Sequence, residues 1–177
     1  MRRSSLMIVI VSVFLVGAVV GVVFAKKVTI TPSAYVGKSP EEASDALLNV
    51  ARTVAGNGSW QNIHLARVYF LSGREEEGRA ILDSVLGSSA EAGDWIRAGR
   101  LYYQAGEWDQ ARSAFDKAIA MAPKDEDWQA EVGAYYNLQG DREKAEELFQ
   151  RSFASGKSLN NVLNVAGSYV GVTPRKR

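Results

Sequence analysis

The feature that most constrains this chain is an internal rhythm. Ala66, Gly99, Gly133 and Gly167 recur at steps of 33, 34 and 34 residues. Tyr69, Tyr102 and Tyr136 keep the same step, as do Gly73, Gly106 and Gly140. A second series follows inside each period: Gly78, Ala111 and Ala145, then Leu82, Phe115 and Phe149. Periods of this length belong to stacked arrays, in which each unit is too small to bury its apolar face alone and neighbours complete the core. Small residues at fixed places let paired helices approach at backbone distance. Aromatic rings beside them fill the adjoining space, and each contributes about 1.5–3 kcal/mol when fully buried.

The unit from about Ala92 to Asp125 carries Trp95, Gly99 and Tyr102 in its first half, Gly106 at its turn, Ala111, Phe115 and Ala118 in its second half, and Pro123 at its close. In that pattern it resembles the tetratricopeptide repeat. The unit from Glu126 to Leu159 keeps Gly133, Tyr136, Gly140, Ala145 and Phe149. It departs at Gln129, where the aromatic moves to Trp128, and at Lys157, where the closing proline is missing. The unit from Ser59 to Glu91 keeps Ala66, Tyr69 and Gly78, with Asn62 in place of the tryptophan. The resemblance implies an all-α solenoid of about three helix-turn-helix units, spanning roughly residues 59–170. Its repeat core would be Ala66, Tyr69, Gly78, Trp95, Gly99, Tyr102, Ala111, Phe115, Gly133, Tyr136, Ala145 and Phe149.

The array needs ends. Ser39-Pro40-Glu41-Glu42 reads as a strong helix start, with a capping serine, proline at the first helical position and a glutamate completing a capping box. The helix it opens, to about Ala55, places Ala43, Leu47, Val50, Ala51 and Val54 on one stripe and covers the first unit. After Ser158, a last helix through Tyr169 carries Leu163, Ala166 and Gly167 in the phase of a fourth unit. That phase exposes the polar Asn160, Asn161, Asn164 and Ser168. The repeat domain is thus expected over residues 39–171, preceded by a linker at 28–38 and followed by a basic tail at 172–177.

Residues 6–25, LMIVIVSVFLVGAVVGVVFA, contain no charge and one polar side chain, Ser12. About twenty apolar residues suffice to cross the hydrocarbon core of a bilayer. The run exceeds the usual apolar region of a cleaved signal, and Lys26 and Lys27 follow it directly, so residues 1–27 are read as an uncleaved single-pass anchor. Cleavage after Ala25, giving a secreted or periplasmic protein, is the competing reading. Arg2 and Arg3 favour a cytoplasmic N-terminus and an extracytoplasmic repeat domain. Gly17 and Gly21 have the spacing of a helix-contact motif, though small residues are common in such helices.

Charge and chemistry narrow the function. Lys+Arg 21 against Asp+Glu 20 argues against a nucleic-acid binder. The absence of cysteine removes thiol catalysis and thiolate metal sites, and a single histidine, His64, removes multi-histidine metal clusters. No phosphate-binding loop, dinucleotide fingerprint or zinc-protease motif occurs. Glu75-Glu76-Glu77 and Glu143, Glu146 and Glu147 read as solvated helix faces. We therefore expect no enzyme, no cofactor and no metal.

In the tetratricopeptide family the concave face, lined by the first helices, takes protein partners. Its groove positions fall here on Trp60, Ile63, Arg67 and Phe70; on Ile96, Arg97, Arg100 and Tyr103; on Ala130, Ala134 and Asn137; and on Asn164. Arg67 and Arg100 are equivalent in adjacent units, and an arginine fork suits a carboxylate, so an acidic or C-terminal peptide segment is the expected ligand. Ile63, Arg67 and Asp127 depart from the Lys and Asn clamp that holds chaperone C-termini in one subclass. The reading is a membrane-tethered adaptor, with a self-associating structural subunit as the alternative.

Overall fold

The computed structural model describes residues 28–87, 89–156 and 158–175, and the apolar run at 6–25 lies outside them. Among the described residues all regular structure is helical: a short 3₁₀ turn at Pro32–Ala34, then α1 (Pro40–Ala55), α2 (Ser59–Leu71), α3 (Glu75–Val85), α4 (Ala92–Gln104), α5 (Trp108–Met121), α6 (Glu126–Leu138), α7 (Arg142–Ser155) and α8 (Leu159–Ser168). No described helix is long and apolar enough to cross a membrane.

Local chemistry sets the boundaries. Ser39 Oγ accepts from the Glu42 amide, and Glu42 accepts from the Ser39 amide, so α1 opens with both halves of a capping box. Asp125 and Asp141 cap α6 and α7 through their carboxylates. The three paired turns are alike. Gly73, Gly106 and Gly140 adopt φ of 80°, 81° and 85°, a left-handed conformation that only glycine takes without cost.

The helices pair as α2 with α3, α4 with α5 and α6 with α7, and the pairs stack in chain order. Within a pair the backbones meet at small residues. A side chain on Gly133 would lie 2.7 Å from Cε1 of Phe149, and one on Gly99 would lie 2.4 Å from Cε1 of Phe115. Between pairs, aromatic rings form the joints. Phe115 stacks on Tyr135 with centroids 4.8 Å apart, and Phe70 meets Tyr102 edge-on at 5.9 Å. Such contacts add about 0.5–1.5 kcal/mol each beyond burial. The core runs along the stack, from Leu48, Leu65 and Tyr69, through Leu82, Leu101 and Ala114, to Phe115, Tyr136, Leu148 and Phe149. Trp95 and Tyr102 are half-buried beside it.

Both ends differ from the expected packing. On α1 the buried residue is Leu48, not the stripe of Ala43, Leu47, Val50, Ala51 and Val54; Leu47, Ala51 and Val54 are exposed. Leu48 packs with Leu65 and Tyr69 of α2. At the other end, α8 is turned relative to the repeat phase. Asn161 and Ser168 are buried, whereas Leu163 and Ala166 are exposed. Polar contacts decide that orientation. Asn161 Nδ2 donates to the Glu126 carbonyl at 3.4 Å, and Ser168 Oγ receives a 2.9 Å bond from Asn137 Nδ2. Val172 then lies against Gly167, on the side a second helix would cover.

Candidate functional site

The first helices of successive units, α2, α4, α6 and α8, share two hollows. A small one of about 120 Å³ lies between α2 and α4, lined by Ile63, His64, Arg67, Arg97, Arg100, Leu101 and Gln104. A larger one of about 560 Å³ lies between α6 and α8, with Asp125, Asp127, Trp128, Glu131, Asn160, Asn161, Asn164 and Arg175 on its walls and Arg100 at its edge. Arg100 is thus common to both.

The two equivalent arginines do different work. Arg100 donates from Nε and from a terminal nitrogen to both oxygens of Glu131, at 2.5 and 2.6 Å, and both side chains are largely buried. Burial opposes the Arg100 charge, but the bonds and charge of Glu131 more than offset it and hold its pKa above the ordinary guanidinium value. Arg100 therefore joins α4 to α6 and is not a free fork for a ligand. Arg67 donates from Nε to the neutral Oε1 of Gln104 at 2.6 Å. Among the described residues no carboxylate pairs with it. Arg97, beside it, meets Asp94 at 3.5 Å and is half-exposed. His64 is exposed, its ring edge-on to Trp60 at 5.5 Å. The α2–α4 hollow is consequently cationic, with an arginine whose charge is not neutralised from within.

Several expected groove residues lie elsewhere. Phe70 and Ile96 are buried in the stack and belong to the core. Each sits on the flank of its helix that faces the next layer: Phe70 packs on Tyr102, and Ile96 lies in the same cluster as Phe115 and Tyr135. Ala130 and Ala134 are buried too. Ile63 is buried but forms the floor of the cationic hollow. Tyr103 is half-exposed, packed against Tyr135 and Trp108. Asn137 bonds Ser168, and Asn164 Oδ1 accepts from the Arg175 amide. Trp60 lies on a separate, almost wholly apolar groove of about 320 Å³ between α1 and α2, with Leu48, Ala51, Val54 and Val68.

Glu131 and Gln104 are the residues the sequence reading passed over. Both lie near one period from their arginine: Arg100 to Glu131 spans 31 residues and Arg67 to Gln104 spans 37. One period combined with one helical turn, backward or forward, brings side chains on neighbouring first helices together. That offset, searched for opposite charges, finds the first pair.

The aromatic groups around these helices are pushed toward their neutral forms. Tyr135 is held well above the usual tyrosine range by burial first and by Glu131 second. Tyr136 is raised by burial and by donating to Asp116 Oδ1 at 2.5 Å. No cluster of three or more side chains able to hold a metal ion occurs among the described residues. Both hollows present charged and hydrogen-bonding groups suited to holding a ligand.

Residues 92–125 match a family model of the tetratricopeptide repeat, and residues 62–84 match a second model of the same repeat. The matched segments are α4–α5 and the body of α2–α3, and they support a tetratricopeptide repeat protein of all-helical build. No curated protein and no solved structure matches the chain.

Proposed function

We propose, from the two matched tetratricopeptide repeats stacked in register with a third helix pair, that this chain is a membrane-tethered scaffold whose first-helix face holds a segment of a protein partner. Tetratricopeptide repeats support an interaction role in general terms. The finer reading rests on one observation, Arg67, whose guanidinium among the described residues is hydrogen-bonded by the neutral Gln104 and by no carboxylate, beside Arg97 and His64. A carboxylate entering there would complete a charge-assisted, bidentate contact of the strong kind. The ligand is therefore an acidic or C-terminal peptide segment held at the α2–α4 hollow, whereas the α6–α8 hollow carries Asp125, Asp127 and Glu131 beside its asparagines and does not suit an acidic chain.

The apolar run at 6–25 would act as the tether, with the repeat domain on the extracytoplasmic side, where envelope assembly, secretion or maturation takes place. A tether raises the effective concentration of the domain near membrane-bound partners, so that weak peptide contacts count. The experiment is affinity capture with the full-length protein, wild type against Arg67→Ala, followed at low and high salt. Loss of the captured partner with Arg67→Ala, at an unchanged helical spectrum, supports the reading. Unchanged capture at low salt refutes the acidic-ligand assignment.

A further inference from the structure

The apolar groove between α1 and α2 adjoins the cationic hollow of the proposed ligand site. Its walls include Leu48, Ala51 and Val54 of α1 and Trp60, Leu65 and Val68 of α2. Val54 is 64% exposed, Trp60 51% and Val68 42%, so apolar side chains stand open to solvent while the buried Leu48 and Leu65 lie beneath them. Because α1 precedes the first repeat, the groove belongs to this end of the stack and not to the repeat pattern. Trp60, His64 and Val68 follow one another at steps of four along a single ridge of α2. Trp60 meets the His64 ring edge-on at 5.5 Å, and His64 is also a wall of the α2–α4 hollow. One side chain therefore separates the two compartments.

Neither compartment is lined by a carboxylate. Asp94 and Glu131, the acids paired with the rim arginines, are engaged by Arg97 and Arg100, which leaves Arg67 with the amide of Gln104. Glu41, Glu42 and Asp45 stand in the opening turns of α1, and none of them lines the groove. Other hollows of the stack do carry acids. The one at Arg52 and Asn62 has Glu77 and Asp94, the one between α3 and α5 has Asp83 and Asp109, and the α6–α8 hollow has three. An apolar compartment beside a cationic one, with no acid on either wall, is complementary to a segment that carries an apolar side chain near a carboxylate.

From this we infer that the α1–α2 groove is the specificity subsite of the ligand site. It takes a bulky apolar side chain, leucine or larger, from the same acidic partner segment whose carboxylate meets Arg67. The inference rests on the acidic-ligand assignment of the α2–α4 hollow and adds which acidic segments are chosen. Helix geometry sets the spacing. The two compartments lie on opposite flanks of α2, about 10 Å apart across one helix. An extended chain advances about 3.3 Å per residue, so the apolar residue falls about three positions from the acid. Between them the peptide crosses the ridge of His64 and Trp60. Trp60 offers a large, rigid contact area at low ordering cost, the kind of aromatic anchor that carries interface energy. The carboxylate orients the segment, and the apolar side chain supplies affinity, because an exposed ion pair gains little alone.

The probes are two capped peptides, acetyl-Leu-Ala-Ala-Asp-Ala-Ala-Leu-amide and its counterpart with alanine at both leucine positions. They are titrated into the full-length protein in lipid nanodiscs. Binding is followed by NMR at the His64 imidazole, whose signal is unique because the chain has one histidine. The leucine peptide is expected to bind about tenfold more tightly than the alanine peptide. That preference disappears in Trp60→Ala and survives in Trp60→Phe, and neither change empties the core, because Trp60 is half-exposed. Arg67→Ala weakens both peptides alike. Equal affinities in the wild type, with Arg67→Ala still weakening both, overturn the inference and leave the acidic-ligand assignment standing. Binding that ignores Arg67→Ala overturns both. The absence of cysteine allows a check on the empty groove. A thiol at Val54→Cys should label rapidly without peptide. Labelling that slows with protein concentration assigns the groove to a second copy. Slow labelling at every dilution, relieved by deleting residues 6–25, assigns it to that apolar run, and either result overturns the inference.

Discussion

The Arg100–Glu131 pair offers the sharpest test of how this stack is held. Both oxygens of Glu131 are bonded by Arg100, at 2.5 and 2.6 Å, and the two side chains are only 13% and 7% exposed. At an effective dielectric constant near 20, unit charges about 4 Å apart attract by about 4 kcal/mol. Desolvation takes back much of that sum, so the pair itself contributes little net stability. Removing one partner is another matter. Arg100→Met leaves a buried carboxylate without its two donors, which costs about 3–5 kcal/mol. With a urea slope of about 2 kcal/mol/M, the unfolding midpoint falls by about 2 M. Replacing both residues, Arg100→Met with Glu131→Leu, removes the orphaned charge and restores stability to within about 1 kcal/mol of wild type. The assay is urea unfolding followed by circular dichroism on the single and double variants. A single variant that loses less than about 1 kcal/mol, or a double variant as weak as the sum of the singles, refutes the reasoning, because Glu131 would then be reaching water.

Three further outcomes follow from the same packing. Gly133→Ala gains about 1 kcal/mol of helix propensity but drives a methyl to 2.7 Å from Phe149 Cε1. Overpacking costs about 1–3 kcal/mol, so thermal denaturation should show a net loss, reduced when Phe149→Leu is combined with it. Tyr135, Tyr136 and Tyr102 are all raised above the ordinary tyrosine value, by burial first in each case. Their contribution to stability is complete below the unfolded-state value near 10 and is lost as pH climbs through the higher folded values. Absorbance titration should therefore show these phenols ionising together with loss of helix, and early ionisation in a folded protein would contradict it. Ser39→Ala removes one half of the capping box and should cost about 1 kcal/mol, read as fraying of α1 by amide exchange, with α4 to α7 unaffected.

The units, their order and their joints are legible in the chain because they depend on spacing alone. A glycine where two backbones touch, an aromatic one turn away and a glycine with positive φ at each turn are local demands. They repeat wherever the same hairpin is built, so Gly99 and Phe115, or Gly106 and Gly140, announce themselves without a partner in view. The capping box at Ser39 is legible for the same reason. Its donors and acceptors lie within four residues.

The ends and the site were decided by tertiary structure. Periodicity places Arg67 and Arg100 at the same point of two units but says nothing of what crosses from the next helix, and there one meets Gln104 and the other Glu131. Phe70 and Ile96 look like groove residues in a single unit and become core once the next layer is laid over them. The turned face of α8 is the clearest case. Apolar patterning assigns Leu163 and Ala166 to the inside, yet the carbonyl of Glu126 and the amide of Asn137 reward Asn161 and Ser168 for facing inward. A repeat in mid-array has neighbours on both sides that enforce its phase. Among the described residues α8 packs chiefly on α6, whose polar groups set its rotation.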